Sequence, residues 1–189
     1  MSVFSKAHWL PHGAAVAFAA AALLSTPSVS AQPAQTPTLI PAQMHSITLT
    51  GGSGLSMGSA GGNDAYVTHT PVFIDAAWRT WHNTMPQWVY GFSLRAEVDG
   101  RTSIGVVPRF EFSRTVGRVS LRPGIAGVIF FAPYELIGPE ASFTVDFRLG
   151  SVVSLVGTMA LDVFFLGSDV PPKSAIFAFN GALGVAIHL

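Results

Sequence analysis

The sequence contains no cysteine. That excludes a disulfide framework, a thiolate nucleophile, thiolate metal ligands and a lipid-modified cysteine anchor. Charge is also scarce: ten Lys and Arg face ten Asp and Glu, 11% of the 189 residues, for a net charge of zero. Soluble domains average about 25% charged residues, so a soluble surface would be short of charge. With a pI near 7.0 there is no basic field to gather nucleic acid. Beyond residue 31, Gly, Pro and charges interrupt every apolar run before it reaches the roughly 20 residues of a spanning helix. Yet the chain is 49% hydrophobic, with a mean hydropathy of +0.46. If it enters a membrane, only a closed barrel satisfies its backbone polar groups.

The N-terminus has a targeting pattern. Lys6 and His8 form a weakly positive segment, 14–24 is an alanine-rich apolar stretch, and 25–31 is small and polar, ending Val29-Ser30-Ala31. The apolar stretch is too short to span a bilayer, and the ending approaches the A-x-A cleavage rule. Residues 1–31 are therefore expected to be a signal peptide, 32–43 a flexible polar linker, and 44–189 the folded domain.

In that domain the hydrophobic period is two. Eight segments follow, divided by turn residues. The first, 44–50, is the least patterned, and the glycine-rich 51–64 that follows it is expected to be a loop. In the others one face is apolar. Trp88, Tyr90, Phe92, Leu94, Ala96 and Val98 alternate with Val89, Gly91, Ser93, Arg95 and Glu97, and Phe143, Val145, Phe147 and Leu149 alternate with Ser142, Thr144, Asp146 and Arg148.

Charges sort by face. Asp75, Arg79, Arg95, Glu97, Arg109, Glu111, Arg118, Arg122, Glu140, Asp146, Arg148 and Asp162 all share the parity of the polar face, and the other charges of the domain fall in loops or turns. An Arg facing lipid costs about 2–4 kcal/mol at the midplane, which accounts for such exclusion. The expected fold is an all-β, eight-stranded, antiparallel up-and-down transmembrane β-barrel, with the six acids and six arginines paired inside. An eight-stranded interior is just wide enough for side chains to fill, so a packed, ion-paired lumen is expected and no open pore. Trp78, Trp81, Trp88 and Tyr90 cluster near one turn, with Tyr66, Phe130, Phe131, Tyr134, Phe164 and Phe165 toward the opposite strand ends. Two such groups fit aromatic girdles at two interfaces.

Two local features conflict with simple pairing. A two-residue hairpin at Asp99-Gly100 would set Leu94 against Gly105 and mix the two faces, so parity demands an odd loop such as 99–101. Pro108 and Pro123 each remove a ladder donor, so a bulge or strand end is expected near both.

The leader, the eight alternating segments over 44–189 and the terminal strand Phe177 to Leu189 resemble the small Gram-negative outer-membrane barrels, the class of OmpX and the OmpA transmembrane domain. This chain ends Ile187-His188-Leu189 where that family usually closes on an aromatic residue. The resemblance implies an outer-membrane location, outer-membrane lipid as surroundings and insertion by the outer-membrane assembly machinery; it leaves activity and external ligand open.

The function expected is non-catalytic: structure, surface interaction or ligand contact through the outer loops, without cofactor or metal. One alternative is a lipid-modifying enzyme using His69 with Ser56 and Asp64. Another is a soluble periplasmic lipocalin-like carrier, with the apolar face turned inward. The run Gly51 to Gly58 lacks the Lys-Ser/Thr ending of a phosphate loop, and His45, His69, His82 and His188 lack metal-ligand spacing.

Overall fold

A computed structural model describes residues 43–59, 65–82, 84–99, 102–133, 135–170 and 174–189. The expected signal peptide and the linker through residue 42 lie outside them, as do Asp64 and Tyr134. Gln43, assigned to the linker by composition, opens the first strand.

Ten strand segments follow: β1 Gln43–Ser59, β2 Ala65–His69, β3 Phe73–His82, β4 Met85–Glu97, β5 Ser103–Phe112, β6 Arg114–Val116, β7 Val119–Ala132, β8 Leu136–Arg148, β9 Val153–Phe164 and β10 Ile176–His188. β2 extends β3 and β6 extends β5, which leaves eight staves. Each pairs antiparallel with its sequence neighbour, and β10 returns to pair with β1, closing the sheet. The rungs Ser46–Arg79–Gly91–Arg109–Ala126–Glu140–Asp162–Ala178 lead round the barrel and back to Ser56. One circuit thus advances ten residues along β1. Eight staves with that stagger tilt by about 40° for ordinary strand rise and spacing.

Burial alternates along the staves, strictly in β8 from Leu136 to Asp146. The apolar parity points outward, leaving Phe92, Leu94, Leu155 and Phe179 about half exposed, while Asp75, Arg79, Arg95, Arg109, Glu111 and Glu140 are buried. A soluble lipocalin-like arrangement needs the reverse orientation, so this structure removes that alternative.

β1 corrects the first-strand expectation. It does not stop at Thr50; it continues through the glycine run to Ser59, pairing with β10 from Ser46 to Gly58. The run fits because the seam is tight. A Cβ on inward-facing Gly54 would stand 1.9 Å from the Phe179 carbonyl oxygen.

The β2–β3 stave carries a bulge. Leu55 pairs with His69 and Gly52 with Phe73, and the Thr70 amide donates to the Gly54 carbonyl, so Pro71 and Val72 together oppose Ser53. Pro71 brings no ladder donor, as suits a bulge. The extra residue reverses parity. Tyr66, paired with Gly58, therefore shares the inward parity of β1 and leans over that glycine at the barrel mouth, rather than joining an outer girdle.

β6 and β7 meet in a two-residue turn, Gly117-Arg118, with Val116 opposite Val119. Gly117 has φ 61°, the left-handed conformation that suits such turns. Gly117→Ala is expected to cost about 1–2 kcal/mol, the penalty a Cβ meets there, read as a lowered urea midpoint for the detergent-folded protein. This turn also corrects one interior assignment: Arg118 is exposed in the hairpin.

Both prolines sit at ladder breaks. Between β5 and β7 the rungs pass from Val106–Ile129 to Arg109–Ala126, skipping Pro108. Pro123 pairs with Phe143 on β8 and lies beyond the last β5 rung, at the break between β5 and β6. Glu97 faces Ser103, so the β4–β5 loop is the odd one that parity demands.

Candidate functional site

The circuit that closes the barrel also assembles its luminal charges, since Arg79, Arg109, Glu140 and Asp162 all lie on it. Arg95 is the hub. Its Nη2 donates to Glu140 Oε2 at 2.8 Å, its Nε to Asp75 Oδ2 at 3.2 Å and its Nη1 to Asp162 Oδ2 at 3.4 Å, and its guanidinium lies 5.0 Å from the Phe73 ring centre. Arg109 Nη2 donates to Asp75 at 3.4 Å and to the Ser93 hydroxyl at 3.2 Å, and lies 3.7 Å from Glu140 Oε1. Arg79 grips Glu111 with Nε at 3.0 Å and Nη2 at 3.3 Å, the bidentate geometry available only to a guanidinium. Arg122 lies 3.3 Å from Asp146 and 3.7 Å from Glu111. Glu97 accepts from the Ser103 hydroxyl.

The expected six-to-six balance needs correction. Arg118 is in the turn, and Arg148 is exposed at the end of β8. The buried set is Asp75, Glu97, Glu111, Glu140, Asp146 and Asp162 against Arg79, Arg95, Arg109 and Arg122. Arg148 instead borders a vestibule of about 210 Å³ at the end holding both strand termini, with Arg122, Asp146 and His188.

Face sorting by charge missed an apolar plug. Val107, Val128, Phe130, Leu136, Phe164 and Ala178 cluster inside the barrel toward the end away from the chain terminus, with Phe130 and Phe164 6.1 Å apart. Both rings face the lumen rather than the outer girdle expected at these strand ends. Their even numbers share the parity of Arg122 and Asp162 on the same strands, and that was the available signal. A cavity of only about 40 Å³ borders Arg95 and Asn180 between plug and charges, and one of about 20 Å³ lies among the charges themselves, beside Asp75, Arg79, Arg95 and Arg109.

Aromatics at the other end divide. Trp78, Trp88 and Tyr90 point outward, Trp88 stacking on Phe110 at 5.1 Å and meeting Phe112 edge-on at 5.2 Å. Trp81 is buried and meets His188 edge-on at 6.3 Å, so it closes the lumen rather than facing lipid.

Of the enzymatic candidates, the two among the described residues do not point the same way. His69 pairs with Leu55 while Ser56 pairs with Thr68, so Ser56 and His69 alternate to opposite faces. Asp64 lies outside the described residues. A different Ser-His-Asp contact does occur: Ser154 Oγ is 2.8 Å from His188 Nε2, and Asp146 Oδ2 is 3.8 Å from that same nitrogen. A triad needs the acid on the other ring nitrogen. Here Nδ1 is buried without a partner and Ser154 is fully buried, so the contact is a luminal bond. Among the described residues no three His, Asp or Glu group as a metal site.

At the long-loop end a cleft of about 430 Å³ opens in the barrel mouth, bordered by Ser56, Tyr66, Thr68, His69, Thr70 and Asp99. The Thr70 hydroxyl is shielded there without a partner.

No family model matches the chain, and no curated protein does. Among solved structures it is similar to Neisserial surface protein A, at 7% identity over 76% of this chain and 96% of that one, with a TM-score of 0.48. It is also similar to Ail, the attachment invasion locus protein of Yersinia pestis. The complex of Ail with the heparin analogue sucrose octasulfate matches at 12% identity over 77% of this chain and 99% of that one, with a TM-score of 0.40. The structure titled for Ail alone matches at 11%, over 76% and 98%, with a TM-score of 0.38.

Proposed function

We propose that this chain is an outer-membrane barrel whose role is non-catalytic contact at the cell surface, made at its long-loop end. One observation carries the membrane reading. Away from turns and strand ends, no Asp, Glu, Lys or Arg among the described residues points outward, while large apolar side chains cover that surface. Water would penalise such a belt and lipid matches it.

Orientation follows from the connections. Both ends of the described barrel, Gln43 and Leu189, lie with the β3–β4, β6–β7 and β8–β9 turns of two, two and four residues; the other end carries the β1–β2, β4–β5, β7–β8 and β9–β10 connections of five, five, three and eleven residues. Short turns face the periplasm in such barrels and long loops face outward. The cleft at Tyr66, Thr68 and Asp99 is then the external contact surface, and the expected signal peptide and assembly machinery deliver the chain there.

The absence of native cysteine makes the test clean. Asp169→Cys in the β9–β10 loop should react with a membrane-impermeant maleimide on intact cells. Gly150→Cys in the β8–β9 turn should react only after the outer membrane is permeabilised. Equal labelling of both on intact cells, or release of the protein by osmotic shock, would overturn the reading.

A further inference from the structure

Pro108 on β5, Gly127 on β7 and Pro139 on β8 fall on one line across the barrel wall. Gly127 is opposite Pro139, and the rungs Val106–Ile129 and Arg109–Ala126 bracket Pro108 and Gly127. All three have outward parity. The proline rings are short and the glycine supplies no side chain, so the outer face is low along this line. The result is an outward-facing valley of about 820 Å³. Trp78, Tyr90 and Phe92 close its β3–β4 end, Leu161 and Val163 close its β9 end, and Phe110, Ile125 and Ala141 flank it. The residues of inward parity along it, Gly91, Arg109, Ala126 and Glu140, lie on the luminal circuit, and the charged side chains of Arg109 and Glu140 are turned into the lumen.

We propose that the valley is a lipid site holding one hydrocarbon chain of a membrane amphiphile, laid over Pro108, Gly127 and Pro139. This rests on the membrane reading above. From β4 to β8 the floor crosses three strand spacings, about 14 Å, along a line that runs obliquely to the barrel axis because the strands are tilted. The lining offers aromatic and aliphatic surface with no side-chain charge, which suits a methylene chain rather than a headgroup. The surrounding belt already faces the hydrocarbon that would supply the occupant.

The valley can be filled without disturbing the wall. A Cβ on Gly127 would meet only Pro108 Cγ, at 4.0 Å, and a Cβ on outward-facing Gly181 of β10 would meet nothing within 4 Å. The full chain is inserted into palmitoyl-oleoyl phosphatidylglycerol bilayers, extracted in mild detergent and weighed by native mass spectrometry. The native chain should retain one such lipid. Gly127→Leu should lower that occupancy at least fivefold, and Gly181→Leu should leave it unchanged. Heat-modifiable gel migration confirms that each variant is a closed barrel. Equal retention by the native chain and Gly127→Leu, no retained lipid, or a dimer that Gly127→Leu splits would overturn the lipid site while leaving the membrane reading intact. Failure of the native chain to insert would overturn both.

Discussion

Arg95→Leu is expected to be the most damaging single substitution in the lumen, costing about 3–5 kcal/mol, the penalty for removing one partner from a buried ion pair. Asp75, Glu140 and Asp162 all reach this one guanidinium, and all four residues are buried. Glu140 and Asp162 are also direct cross-strand neighbours, a position in which like charges repel. Arg109 still touches Asp75 and Glu140, but Asp162 would keep only the Asn180 amide, which donates to it at 2.8 Å. The measurement is the urea midpoint of the detergent-folded barrel, followed by the loss of its fast-migrating gel form. Adding Glu140→Gln and Asp162→Asn to Arg95→Leu should recover part of the loss, since the cost lies in uncompensated charge. If Arg95→Leu alone unfolds at the native midpoint, the hub is energetically idle.

The legible part of this fold was whatever side chains encode at period two. β4, β8 and β9 could be read because Arg95, Asp146 and Asp162 mark one face and Leu94, Val145 and Leu161 the other. The distal half of β1 could not, because Gly51, Gly52, Gly54 and Gly58 have no side chain with which to declare a face; its pairing is written in the backbone of β10. Tyr66 was misplaced because one bulge residue reverses every position beyond it. The proline at 71 was visible, but its effect on parity depends on the partner register. Arg118 does not reach the lumen because it is the second residue of the Gly117-Arg118 turn. The plug escaped because charge was the sorting label: Phe130 and Phe164 are apolar residues of inward parity, and only strand numbering separates them from the lipid-facing set.

That distinction between faces leads to the second large effect, a depth-dependent penalty on the outer surface. Met159 lies midway along β9 and is 45% exposed on the apolar belt, while Val152 is 48% exposed in the turn before that strand. Their nearly equal exposure makes them a matched pair, since a soluble protein would accept arginine at both with similar ease. In a bilayer the two differ: an outward arginine costs about 2–4 kcal/mol at the midplane and about 0–1 near the interface. Met159→Arg should therefore lower the folded fraction in vesicles steeply, while Val152→Arg should stay close to the native chain. The difference comes from removing charge from water, so it should shrink when the same variants are folded in detergent micelles thin enough to admit water at the middle of the belt. Folding both in lipid across a urea series gives the two free energies directly. Equal midpoints in lipid would mean that the exposed face of β9 is not buried in hydrocarbon, and the placement of the whole apolar belt would fall with it.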